Sequence, residues 1–243
     1  MFKTTKALVL REVRYKEADR ILTILTEDEG KQTVKAQGAL RKNSKISAST
    51  QFLTWSELTL FGNRGRWSVR EGSVLEGFDG LRMDLERLAI ASYIAELLET
   101  VSAEGAPDPA VLQLGLNALY AMSRDLCEKK QVKAVFELRL MCLSGYAPEL
   151  SACMVCGKSG ETMCFSPEQS GLVCHACNPY LHPVSPECLS AMRHVAFAPA
   201  KKVFSFSLSG AAAQEFYVNC ERYLLTQLER HFASLDYYKK IKG

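Results

Sequence analysis

A chain of 243 residues has room for two domains or one large one, and 47% hydrophobic with 23% charged residues is an ordinary globular composition. The formal charge of +3 permits a nucleic-acid partner without requiring one, because affinity follows local clustering of charge. No apolar run approaches the roughly 20 residues needed to cross a bilayer, and residues 1–6 lead straight into an alternating segment without a leader pattern, so a cytoplasmic protein with no membrane partner is expected.

Residues 1–79 read as strands. Ala7-Leu8-Val9-Leu10, Ile21-Leu22-Thr23-Ile24-Leu25 and Thr33-Val34-Lys35-Ala36 alternate, with Leu8 and Leu10 on one side. Gly30-Lys31 marks the turn between the second and third runs. A polar, basic loop follows over residues 38–50. Two further runs, Leu58-Thr59-Leu60-Phe61 and Trp67-Ser68-Val69 through Val74-Leu75, are joined at Gly62-Asn63-Arg64-Gly65. Five short strands with one long loop predict an OB-fold barrel.

From Leu81 the period becomes helical. Ile90, Ile94, Leu97 and Val101 share one stripe, and Leu81, Leu85 and Leu88 an adjoining one, so this helix should be buried on more than one side. Asp108-Pro109 is a cap followed by proline at the first helical position, predicting a second helix to about Cys127. A third runs from near Val132 to Gly145. Ser185-Pro186 starts another. Ser209 is the expected cap of a last long helix with a stripe of Phe216, Cys220, Tyr223, Leu224 and Leu228. The expected architecture is multidomain α+β: an OB-fold nucleic-acid-binding domain over residues 1–79, then an all-α domain over 80–243 carrying a zinc-ribbon-like insertion at 148–182.

Thiols stay reduced in the cytoplasm, so nine cysteines suggest core residues and a metal site rather than disulfides. Cys153-x-x-Cys156 and Cys174-x-x-Cys177 have the spacing of a four-cysteine zinc site. A two-residue gap aims two thiolates at one ion, and the second pair closes the tetrahedron, leaving no open position for catalysis. Gly157 suits the tight knuckle. The segment carries little apolar content, so its order should depend on a structural Zn2+. Cys164, His175 and His182 are alternative ligands that two complete pairs make unnecessary. Residues 152–159 nearly match a phosphate-binding loop, but they lack a preceding strand and a following helix, and two of their positions are the presumed ligands.

The basic residues cluster on the barrel. Arg41, Lys42 and Lys45 lie in the long loop, with Lys35 just before it; Arg11, Arg14, Lys16 and Arg20 flank the first turn; Arg64, Arg66 and Arg70 lie in or near the last hairpin. Strand parity places Arg66 and Arg70 opposite Trp67 and Val69, and Trp55 and Phe61 opposite Leu58 and Leu60. Cations interleaved with outward aromatics are how OB-folds hold single strands. The expected DNA-binding set is Lys35, Arg41, Lys42, Lys45, Arg14, Arg20, Arg66 and Arg70. Trp55 and Phe61 serve equally as stacking platforms or as packing. No catalytic signature appears: the four histidines form no metalloprotease motif, and no G-x-S-x-G or dinucleotide signature is present.

The chain resembles the RecO family of bacterial recombination mediators. The resemblance rests on Lys6-Ala7-Leu8-Val9-Leu10, Glu17-Ala18-Asp19-Arg20-Ile21-Leu22, Glu29-Gly30-Lys31, the loop Gly38-Ala39-Leu40-Arg41-Lys42-Asn43-Ser44-Lys45, Tyr93-Ile94-Ala95-Glu96-Leu97-Leu98, and Gly145-Tyr146-Ala147-Pro148 leading into the first cysteine pair, then Gly171-Leu172-Val173-Cys174. Leu40 stands where the family often has a basic residue. The resemblance implies a non-enzymatic DNA repair protein that binds single- and double-stranded DNA and anneals complementary strands. It implies loading of RecA onto DNA coated by single-stranded DNA-binding protein, with partner RecR, in many bacteria RecF, and in some members the acidic tail of the coating protein. A nucleoid-associated place in the bacterial cytoplasm follows. The alternative reading is an RNA-binding or transcription-associated OB and zinc-ribbon protein.

Overall fold

The computed structural model describes residues 1–63, 65–160 and 162–242. It divides into two compact units: residues 1–124 with 232–243, and residues 125–231.

The first unit contains a closed barrel of β1 (Phe2–Tyr15), β2 (Asp19–Thr26), β3 (Gly30–Ala36), β4 (Trp55–Asn63) and β5 (Arg66–Glu76), in the order β1-β2-β3-β5-β4. β1 is long enough to serve two neighbours: Phe2 to Leu8 pair with β4, and Ala7 to Tyr15 with β2. A register shift between Val9 and Arg11 bends the strand between them. A short parallel pairing, Val34 with Trp67 and Lys35 with Ser68, closes the barrel. Ala7, Val9, Leu22, Ile24, Val34, Leu58, Leu60 and Val69 fill it, joined by Ala39 and Ile46 from the β3–β4 loop. Leu8 and Leu10 have the opposite parity and are buried too, on the strand that α1 packs against. Alternation alone does not reveal a strand covered on both sides.

The first helix starts later than its apolar period suggests. Leu81 is buried in a 3-10 turn, Asp79–Met83, and α1 (Leu85–Val101) begins after Asp84, whose carboxylate accepts from the N–H groups of Glu86 at 2.8 Å and Arg87 at 3.1 Å. Leu85 consequently faces solvent, while Ile90, Ile94 and Leu97 are buried as the stripe requires. α2 (Pro109–Ser123) has the expected Asp108 cap and Pro109 start. It ends short of Cys127 because Asp125 takes a left-handed φ of 57°, which a continuing helix cannot accommodate. A helix not anticipated from the sequence, α6 (Ala233–Lys242), returns to α1. Its start is held by Glu96, which accepts the Ser234 N–H at 3.0 Å, and by Phe232, whose ring meets Tyr93 edge-on at 5.8 Å.

The second unit is built on α3 (Lys129–Leu143), α4 (Pro186–Phe197) and α5 (Gly210–Leu228), which pack against one another. Ser185 caps α4 by accepting the Cys188 N–H at 3.3 Å. Ser209 makes no side-chain cap bond on α5. Phe216, Cys220, Tyr223 and Leu224 are buried as the α5 stripe predicts.

Candidate metal centre and nucleic-acid interface

The cysteine-rich stretch carries a hairpin that its sequence did not announce: β6 (Met163–Ser166) and β7 (Gly171–Cys174), paired antiparallel. Residues 149–154 run beside β7. The Glu149 N–H donates to Ser170, Leu172 donates to Glu149 and Met154 donates to Leu172, at 2.8 to 2.9 Å. Gly171 permits this approach, since a Cβ there would lie 2.6 Å from the Glu149 carbonyl oxygen. Met163, Cys164, Phe165, Leu172 and Val173 are buried, and Phe165 meets the Tyr223 ring of α5 at 5.5 Å. The segment therefore buries more apolar surface of its own than was expected.

That frame brings four sulfurs together. The Sγ atoms of Cys153, Cys156, Cys174 and Cys177 all lie within 4.8 Å of one another, and Cys156 and Cys174 approach to 3.7 Å. A tetrahedron with metal–sulfur bonds of about 2.3 Å has edges of ~3.8 Å. Each pair sits on its own tight turn. Gly157 donates its N–H to Cys153 at 2.8 Å with a φ of 70°, and Cys177 donates to the Cys174 carbonyl at 2.9 Å. Cys174 also donates its N–H to Cys153 Sγ at 3.2 Å. That bond is the main reason the Cys153 thiol is lowered to about 6, while the neighbouring Cys174 and Cys156 side chains push Cys177 up to about 12. Four crowded sulfurs cannot all ionise unaided, and a cation at their centre removes the conflict. The cluster can hold a metal ion. Cys164 lies outside it and donates to the Leu181 carbonyl at 3.4 Å; His175 and His182 are exposed and take no part. The near-match to a phosphate loop forms these turns, with neither strand before it nor helix after it.

Among the described residues, two clefts on the barrel are lined by basic side chains. One, of about 590 Å³, is lined by Tyr15, Lys35, Phe61, Arg66, Trp67 and Arg70 among others. The second, of about 390 Å³, is lined by Gly38, Arg41, Lys45 and Arg70 with neighbouring residues. Arg70 belongs to both. Its guanidinium lies 5.0 Å from the Phe61 ring centroid, and Lys35 Nζ lies 5.4 Å from that of Tyr15.

Both halves of the molecule match a single family. Family models described as "Recombination protein O N terminal" and "Recombination protein O C terminal" match residues 1–78 and 82–236. The chain belongs to the recombination protein O family. Among its RecO relatives, "DNA repair protein RecO" of Acetivibrio thermocellus is 34% identical over 98% of this chain and 96% of its own length. The protein of the same name from Desulforudis audaxviator is 35% identical over the same shares. That of Heliobacterium modesticaldum is 37% identical over 78% of this chain and 72% of its own length.

In this RecO-family chain the candidate basic residues divide by position. Lys35, Arg66 and Arg70 line the larger cleft, and Arg41, Lys45 and Arg70 the smaller; Lys42 and Arg14 are exposed but line neither. Arg20 is turned inward, its side chain 12% exposed and bonded to loop carbonyls. Arg64 lies outside the described residues. Phe61 is half-buried and lines the larger cleft, whereas Trp55 lines neither. Sequence reasoning passed over Tyr15 and Trp67 as cleft residues. Tyr15 ends β1 beside the first turn, and a basic-turn pattern with an adjoining aromatic was the available signal. Trp67 was hidden by parity: it packs partly on the core yet also lines the larger cleft, with Lys3 Nζ over its ring 4.1 Å from the centroid.

Proposed function

We propose that this chain is a non-enzymatic recombination mediator in DNA repair. Residues 1–79 bind DNA and residues 80–243 form the helical part, with a zinc-holding insertion at 148–182. The observation that carries the reading is the pair of barrel clefts meeting at Arg70, where Lys35, Arg41, Lys45 and Arg66 stand beside Tyr15, Phe61 and Trp67. Cations with aromatic faces suit a strand whose bases are free to stack, and backbone contacts without base reading suit any sequence. Membership of the recombination protein O family, whose relatives bear the name DNA repair protein, supports the same reading.

On this reading the barrel holds single strands or a duplex through phosphate contacts. Complementary strands brought to one basic face anneal without bond-breaking chemistry. The protein helps load RecA onto DNA coated by single-stranded DNA-binding protein, working with RecR and, where present, RecF. Tethering through the acidic tail of the coating protein raises the local concentration of DNA at the barrel. The metal is zinc: four thiolates close its coordination shell, so it orders the β6–β7 hairpin and takes no part in chemistry. A bacterial cytoplasmic location at the nucleoid follows from the role.

Charge reversal tests the interface. Changing Arg41, Lys42 and Lys45 together to glutamate should weaken single-strand binding and flatten its salt dependence, each lost phosphate contact being worth ~0.7 in the slope of log affinity against log salt. An unchanged slope removes the loop from the nucleic-acid path. Failure to anneal complementary oligonucleotides, with RNA bound in preference to DNA, would favour the RNA-binding alternative.

A further inference from the structure

The loop carrying Arg41, Lys42 and Lys45 is exposed at those three side chains, yet it is built as a chain of turns. Arg41 donates its N–H to Gly38 at 3.1 Å, Ser44 to Arg41 at 3.0 Å and Gln51 to Ala48 at 3.3 Å. Its Ala39 and Ile46 are buried in the barrel core. Two adjacent residues at the start of β2 hold its two ends. At the front, Asp19 Oδ1 accepts the Gly38 N–H at 2.8 Å, and Asp19 Oδ2 lies 2.8 Å from Lys35 Nζ. Leu40 donates to the Ala18 carbonyl at 2.9 Å beside them. At the back, Arg20 Nη1 donates to the carbonyls of Ser47 at 3.3 Å and Thr50 at 3.2 Å, with Glu12 Oε2 at 3.5 Å from the same nitrogen. Successive strand residues point to opposite faces, so one step along β2 reaches both ends of the loop.

We propose that Asp19 and Arg20 are positioning residues for nucleic-acid binding: they touch no strand, and they hold residues 38–50 in the bound conformation before a strand arrives. This rests on the reading of the barrel clefts as a nucleic-acid interface and deepens it. A loop already ordered loses little conformational freedom on binding, so more of its contact energy appears as affinity. The arrangement also accounts for a carboxylate within a basic surface. By charge alone Asp19 repels phosphate; its side chain is 12% exposed, and both its oxygens are engaged by the loop and by Lys35.

The two roles predict opposite signs, and the full-length protein with a labelled thymidine oligonucleotide separates them. Asp19→Ala removes a negative charge, which by electrostatics alone should tighten binding. As a lost anchor it should weaken binding by ~5- to 10-fold, with an unchanged salt slope because no phosphate contact is lost. Asp19→Asn keeps an acceptor for the Gly38 N–H and should restore most of the affinity. Arg20→Gln keeps an amide donor for the loop carbonyls without the charge; its slope should equal that of the parent, whereas a phosphate contact would cost ~0.7. Tighter binding by Asp19→Ala, or a reduced slope in Arg20→Gln, overturns the proposal. Should Asp19→Ala fail to fold, the slope of Arg20→Gln decides alone. The charge-reversed loop, run alongside, keeps the two readings apart: if it binds like the parent, the nucleic-acid reading has failed rather than the positioning of the loop.

Discussion

Lys133 and Glu137 carry opposite charges one turn apart on α3, with side chains 7% and 0% exposed, and Glu221 of α5 completes a group in which each Lys133 contact is 2.7 Å. Burial alone would lower the lysine's affinity for its proton, but the two carboxylates outweigh it and hold Lys133 above its ordinary value. Glu137→Ala leaves the buried Lys133 paired with Glu221 alone and should cost about 1–3 kcal/mol in urea denaturation, because one of its two charged hydrogen-bond partners is lost. Gly30 is constrained differently. Its φ is 67°, and a Cβ would lie 2.5 Å from the Ala106 carbonyl oxygen, so Gly30→Ala should destabilise by more than about 1 kcal/mol in the same measurement. Asp19 gives a pH dependence. The Lys35 hydrogen bond, then the Gly38 N–H, hold its carboxyl below the ordinary 3.8. A depressed carboxylate contributes fully above its ordinary value and loses that contribution as the pH falls through the lowered one. Amide exchange at Gly38 should therefore stay protected from neutral pH down to about 4 and open only below it.

At the scale of elements, the β6–β7 hairpin and its two knuckles are a structure with two supports. One is the cation its sulfurs can hold; the other is packing, through Phe165 on Tyr223 and the Gln227 side chain donating to the Pro167 carbonyl at 2.9 Å. Zinc-finger peptides with no such packing draw an apparent ~10–16 kcal/mol from their metal. Here chelation should unfold the hairpin without abolishing the helices α3, α4 and α5. Cys177→Ser should lose stoichiometric metal by elemental analysis and lower the melting temperature of residues 125–231, leaving helical circular dichroism largely intact. Loss of all structure on chelation would mean that the packing contributes little.

For the whole molecule, charge and aromatic surface act together, and they can be separated by substrate. Lys35 and Arg70 lie over the rings of Tyr15 and Phe61, 5.4 and 5.0 Å from their centroids, so a base stacking there would share the ring with a cation. Stacking contributes ~1–3 kcal/mol per base on single strands and nothing to a duplex whose bases are already stacked. Changing both rings to alanine should thus reduce single-strand affinity by about ten-fold or more and leave duplex binding nearly unchanged. Equal losses on both would make the rings supports of the barrel rather than platforms for bases.

Much of this was open to reading from the residues alone because it is encoded locally. Two C-x-x-C pairs place their own sulfurs, Asp108-Pro109 states where a helix begins, and alternation in Leu58 and Leu60 states which face is inside. What spacing cannot convey is contact between distant segments. The start of α1 depended on whether Leu81 or Asp84 opened it. α6 is only ten residues long, too short for its apolar period to stand out, so it is recognisable by what it packs against. Trp55 and Phe61 share a parity, yet only one reaches a cleft. Arg20 looks like any other surface cation until the carbonyls of Ser47 and Thr50 are seen around it. The meeting of two clefts at Arg70 follows from the parallel pairing of β3 with β5, segments some thirty residues apart. A chain states its periods and its ligand pairs through neighbours a few residues away, but barrel closure is a cooperative property of the whole, and only the folded molecule decides which charges end side by side.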